Sequence, residues 1–186
     1  MRATTPEPSD AIADPALFPF DVRVCSRNQL RRHAKRFEST HVVSLIEMEA
    51  KVVRPSRVRP ENHRKLIFDD VEDSSHPYAP QPRHIESLLA FGRMLPAGAR
   101  VMVHCQAGQC RSTAGALALL AQAAGPEHAE AAMAHILAVR PIARPNMLVT
   151  ELADTALGAD GALIAAARRA NEWQEAGRQG PLFGGA

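Results

Sequence analysis

The stretch from Arg100 to Ala124 leaves little choice of local structure. Arg100 Val101 Met102 Val103 is a short apolar run of strand character, and Ser112 to Ala124 is an unbroken Ala- and Leu-rich run that suits a helix. His104 Cys105 Gln106 Ala107 Gly108 Gln109 Cys110 Arg111 Ser112 must therefore turn tightly from the carboxyl end of a strand into the amino end of a helix. The N–H groups of such a loop and of the first helical turn have no intrahelical partners and converge on a concavity that attracts an anion, so a phosphate fits there. Cys105 faces the same field, which favours thiolate over thiol. Arg111 brings a permanent charge and a planar fork able to hold two phosphate oxygens. Gly108 lets the backbone turn inward with no side chain in the way.

The remaining chain reads as an α/β domain. Phe20, Val22 and Val24 alternate with Asp21 and Arg23 as in a strand, and Ser26 with Gln29 forms a capping-box pattern before a helix carrying Leu30, Ala34 and Phe37 inward. Arg31, Arg32, Lys35 and Arg36 form that helix's solvated face. His41 to Met48, which holds Val42, Val43, Leu45 and Ile46, is a second strand, and strand, helix, strand argues for a parallel sheet. Lys51 to Lys65 is a basic connector in which Pro55 and Pro60 oppose a helix, read either as a solvated loop or as a rim attracting an anionic substrate. Leu66 Ile67 Phe68 is a third short strand. Helices follow around Ile85 to Gly92, after the loop, from Ala129 to Leu137, from Met147 to Leu157 and from Asp160, with Leu163, Ile164 and Ala167 inward.

Composition narrows the function classes. With 186 residues, 46% of them hydrophobic, the chain suits one domain over 20–172, between a Pro-rich flexible arm at 1–19 and a Gly-rich flexible tail at 173–186. A net charge of +2 with 4% aromatic residues gives no nucleic-acid footprint. No run approaches a membrane span, and Cys25, Cys105 and Cys110 cannot build a secreted disulfide framework, so a cytoplasmic monomer is expected.

Asp69 Asp70 Val71 Glu72 Asp73 follows the third strand. Cleavage of a phosphate ester needs a proton donor for the departing oxygen, and a carboxyl near the bound anion suits that task. Asp69 and Glu72 read otherwise as solvated loop charge. Tyr78, on the Pro-rich loop beyond, is placed either to stack on an aromatic substrate or simply to face solvent.

His-Cys, five residues, then Arg-Ser resembles the signature loop of the cysteine-dependent protein tyrosine phosphatases, with the small dual-specificity type nearest in length. The resemblance implies a single three-layer domain with a central, mostly parallel sheet and helices on both faces. It implies Cys105 as nucleophile, Arg111 and the backbone of Gln106, Ala107, Gly108, Gln109 and Cys110 as phosphate ligands, His104 as holder of the cysteine and Ser112 as an aid to turnover. Phe68 Asp69 Asp70 looks like the family's acid-bearing strand end and assigns the general acid to Asp70; distance along the chain makes Asp73 the alternative. Pro145 Asn146 before a helix also resembles a stretch of the dual-specificity type. No metal or cofactor is implied, because the loop itself supplies positive potential. The expected substrate is phosphotyrosine in a phosphorylated protein, with phosphoserine or phosphothreonine as well. The alternative is a phosphoinositide or other small phosphoester; the absence of Lys at Gln106, Ala107 and Gln109 lowers the phosphoinositide reading, and the basic connector keeps it open. The competing classes are a phosphate reader without turnover and a sulfur-transfer enzyme of rhodanese type, which the His-Cys and Arg-Ser flanks disfavour. Cys110, before the arginine, is either a small buried residue or a redox partner able to form a disulfide with Cys105.

Overall fold

The computed structural model describes residues 16–177 and 182–183, so most of the expected arm at 1–19 and half of the tail at 173–186 lie outside the described residues. The elements run β1 (Asp21–Ser26), α1 (Leu30–Arg36), β2 (His41–Ile46), β3 (His63–Ile67), α2 (Pro82–Arg93), β4 (Arg100–Cys105), α3 (Arg111–Ala124), α4 (Ala129–Val139), α5 (Met147–Leu157) and α6 (Ala162–Glu175). The sheet is wholly parallel, in the order β1-β4-β2-β3. This is the expected α/β domain.

Alternation along the strands divides the core. Val22, Val24, Val43, Leu45, Leu66, Val101 and Val103 point to one face and pack with α2 to α6 in a large cluster. Cys25, Val42 and Met102 point to the other, where Leu30 and Ala34 of α1 and Val58 of the connector make a much smaller one. Helices do lie on both faces, but very unequally. Helix α3 is buried from Arg111 to Ala121, which explains why its sequence is apolar nearly all round.

Two expectations need correction at the connector. The third strand starts at His63 instead of Leu66: it is an edge strand, its first residues are polar because they are half exposed, and hydrophobicity marked only its second half. Pro60 begins a short 3₁₀ turn, Pro60–Asn62, where its missing N–H costs nothing. The capping box is present, with the Ser26 N–H donating to Gln29 Oε1 at 3.2 Å, and opens a 3₁₀ turn that runs into α1. Phe18, within the expected arm, is buried in the large core, and the Gly98 N–H donates to the Pro19 carbonyl at 2.7 Å. Among the described residues no helix is long and apolar enough to cross a membrane.

Asp154, buried near the end of α5, accepts the N–H groups of Gly161 and Leu163 at 2.8 and 2.9 Å and so satisfies the amino end of α6. Asp154→Ala leaves those donors unpaired and is expected to cost about 1–2 kcal/mol, read as a lowered urea midpoint with unchanged slope.

Candidate active site

Strand β4 lies between β1 and β2 and ends at Cys105, so the loop leaves the middle of the sheet at its carboxyl edge, where open α/β sheets place ligands. Gly108 has φ of 68°, and a Cβ there would lie 2.4 Å from the carbonyl carbon of Cys25. Glycine is therefore required twice at this position, for the left-handed turn and for the close approach to the end of β1.

The carbonyls of the loop are held from outside. Gln106 O accepts from Arg27 N at 3.2 Å, Ala107 O from Arg140 Nη2 at 2.9 Å and Gly108 O from Arg140 Nε at 2.8 Å. Gln109 O accepts from Arg144 N at 3.0 Å, and Cys110 O from Asn146 N at 3.3 Å. In a planar trans peptide the N–H points opposite to the C=O, so turning these carbonyls outward turns the following N–H groups inward. At Gly108 the inward N–H donates to Cys105 Sγ at 3.2 Å, and Ser112 Oγ lies 3.1 Å from the same buried sulfur. The result is a concave cradle of donors around a cysteine.

Arg111 is almost fully buried, with 4% of its side chain exposed. Its Nη1 donates to Phe68 O at 2.8 Å and its Nη2 to Glu47 Oε2 at 3.1 Å, while Nε, 3.6 Å from Asp70 Oδ2, has no hydrogen-bond acceptor. The expected free fork is thus anchored through both terminal nitrogens. Its unsatisfied Nε is the donor left for an incoming oxyanion. Glu47, one residue beyond β2, gave no signal in the sequence. Partial burial raises its pKa, but its own backbone hydrogen bond and the Arg111 and Arg27 guanidiniums outweigh this and hold it below the usual carboxylate range.

The two candidate acids have different settings. Asp70 Oδ1 accepts from Asn146 Nδ2 at 3.0 Å, and the same amide nitrogen also donates to Val71 O at 3.2 Å. The Asp73 carboxylate instead accepts from Ser75 N and Oγ at 2.9 and 2.7 Å; it is fully exposed, and these bonds hold its pKa down. Only Asp70 is brought to Arg111. Glu72 is more than the solvated loop charge expected of it, since its Oε1 accepts the Met147 N–H at 2.7 Å at the start of α5. Cys110 hydrogen-bonds the Asp70 carboxylate; burial, that negative charge and the nearby Cys105 push its thiol up to about 12. Tyr78 is half exposed and lies beside His76, with ring centroids 6.2 Å apart.

His104 acts through a chain of hydrogen bonds. Its Nδ1 lies 3.3 Å from Cys105 O, an acceptor only, so Nδ1 carries the proton and Nε2 accepts from Ser44 Oγ at 2.6 Å. Ser44 Oγ in turn accepts from His63 Nε2 at 2.7 Å. Sequence reasoning missed Ser44 and His63, because their meeting depends on β4 and β3 flanking β2. Burial is the first cause that lowers both rings to about 4; Arg27 and Arg111 add to it at His104, and Lys65, His104 and Arg54 at His63.

Solved structures similar to this chain include human DUSP28, at TM-score 0.58 and 19% identity over 85% of this chain and 98% of that one. DUSP15 matches at TM-score 0.54 and 17% identity, over 83% and 90% of the two chains. PTP-2 phosphatase of Cydia pomonella matches at TM-score 0.53 and 19% identity, over 73% and 84%. No family model and no curated protein matches the sequence. The fold is that of the dual-specificity phosphatases.

Because both rings stay neutral in the folded protein down to about 4 but take protons near 6.5 when unfolded, the unfolded chain binds more protons between those values and stability falls as pH drops through that window. His63→Gln removes one such group. Urea titrations at pH 7 and pH 4.5 are expected to show a smaller loss of stability in the variant than in the wild type, and an equal loss would remove His63 from this account.

Proposed function

We propose that the protein is a phosphomonoester hydrolase working through a phosphocysteine on Cys105. The observation that carries this reading is the outward anchoring of the carbonyls from Gln106 to Cys110, which leaves a donor-lined cradle around the sulfur. A tetrahedral oxyanion seated there would meet loop N–H groups and Arg111 Nε, as charge stabilisation in phosphoryl transfer requires.

Cys105 Sγ attacks phosphorus, the bond from phosphorus to the ester oxygen breaks, and protonated Asp70 gives that oxygen its proton. Water then attacks the phosphocysteine and loses a proton to Asp70. The S–P bond breaks, and Ser112 Oγ hydrogen-bonds the departing thiolate. Asn146 positions Asp70 and His104 positions the Cys105 carbonyl, so both act through other groups. The substrate is a phosphorylated protein, with phosphotyrosine first; Gln106, Ala107 and Gln109 leave the loop without the lysine that a polyphosphorylated headgroup would favour.

Hydrolysis of an aryl phosphate across pH tests the assignment. Cys105→Ser is expected to abolish turnover and Asp70→Asn to reduce kcat by about 10²–10⁴, whereas Asp73→Asn stays within about twofold of wild type. Wild-type protein that binds vanadate but hydrolyses nothing would instead be a phosphate reader. Turnover retained by Cys105→Ser would refute the mechanism.

Cys110 has a second role in this proposal. A Cys105 sulfenate, formed by peroxide, condenses with the Cys110 thiol to a disulfide and releases water, which guards the nucleophile against further oxidation. Peptide mass mapping after peroxide is expected to find the Cys105–Cys110 bridge, and Cys110→Ser to accumulate Cys105 sulfinate; sulfinate without a bridge in the wild type would exclude the role.

A further inference from the structure

Beside the loop, on the α1 side of the sheet, lies a groove of about 540 Å³ whose walls include Arg27, Leu30, Arg31, Glu49, Lys51 and Val52. Arg27 joins it to the candidate active site. Arg27 donates its N–H to Gln106 O at 3.2 Å, and its guanidinium lies 3.5 Å from Glu47 Oε1, while the other oxygen of Glu47 holds Arg111. Among these walls three cations face one carboxylate.

The charge is not neutralised internally. Among the described residues neither Arg31 nor Lys51 has an ion-pair or hydrogen-bond partner. Four other cations of the connector are engaged: Arg54 donates to Val58 O, Arg57 pairs with Glu38, Arg59 with Glu61, and Arg64 lies over the Phe91 ring; Lys65 lies on the edge strand β3 and does not line the groove. Of the connector's cations only Lys51 lines this groove, where Arg27 and Arg31 join it. Cations sharing one groove repel each other, and an anion between them removes that cost.

Two features select the occupant. Leu30 and Val52 place apolar surface between the cations, which suits aliphatic stems bearing carboxylates better than a headgroup with no apolar surface. The main chain of Lys51, Val52 and Val53 belongs to no helix or strand and takes part in no hydrogen bond among the described residues, leaving donors and acceptors to pair with a second backbone. We infer that this groove is a specificity subsite for acidic side chains flanking the phosphorylated residue of a peptide whose phosphate occupies the loop. The inference rests on the phosphatase reading and adds the substrate class that it favours.

Binding to Cys105→Ser, followed by fluorescence anisotropy, scores the subsite without turnover; wild-type hydrolysis of a small aryl phosphate, which does not reach the groove, scores the phosphatase reading separately. Three labelled phosphotyrosine peptides, flanked on both sides by Glu, Gln or Lys, are compared. The Glu-flanked peptide is expected to bind about tenfold more tightly than the Gln-flanked one, the yield of two exposed charge pairs, with the gap closing at high salt. Adding Arg31→Gln with Lys51→Gln should erase the preference, and Arg31→Glu with Lys51→Glu should invert it towards Lys-flanked peptide, an outcome that loss of folding cannot produce. Equal binding of Glu- and Gln-flanked peptides by Cys105→Ser, or a preference unchanged by charge reversal, would overturn the inference. So would a soluble inositol polyphosphate that binds more tightly than the Glu-flanked peptide and loses that binding on charge reversal.

Discussion

The site depends on the planarity of the peptide bond. A loop that turns its carbonyls outward must turn the adjoining N–H groups inward, but only if something outside accepts the task of satisfying each carbonyl. Here the donors come from distant segments: Arg27 after β1, Arg140 after α4, and Arg144 and Asn146 before α5. The cradle is therefore a property of the segments that surround the loop, not of the loop alone. Preorganisation of this kind means that donors need not reorient when charge develops on a bound group.

Arg111 is the second organising element. Burying a guanidinium is costly unless acceptors meet it, and these come from Phe68 after β3 and Glu47 after β2, with the Asp70 carboxylate nearby. One cation thus holds two strand ends beside the loop. The candidate acid is fixed from the opposite direction by Asn146, which also caps α5 by accepting the Val149 N–H at 3.0 Å. A helix cap and an acid-positioning contact are the two ends of one amide.

What could be read from the sequence follows from what each residue depends on. Cys105, Gly108 and Arg111 were legible because their chemistry follows from residue type and spacing within one strand-loop-helix turn. Asp70 was legible as a strand-end carboxylate. Glu47, Ser44 and His63 were not, because they meet Arg111 and His104 only once β4 is inserted between β1 and β2 and β3 pairs on the far side of β2. The task of Arg140, holding two loop carbonyls, follows from the direction in which the loop turns. The start of β3 was hidden for a different reason: a half-exposed edge strand need not alternate cleanly, and His63 Arg64 Lys65 therefore read as part of the basic connector.

The unequal division of the core has a dynamic consequence. On one face α1 and the connector rest on a handful of buried residues, Leu30, Ala34 and Val58 against Cys25, Val42 and Met102, whereas the opposite face carries five helices on a large cluster. Local opening free energy scales with the buried contacts that must be broken, so the thin layer is able to open as a sub-global unit while the thick one stays intact. Amide hydrogens of α1 and the connector would then exchange ahead of those of α3. The molecule thus keeps its loop on a rigid block and its neighbouring cationic wall on a softer one.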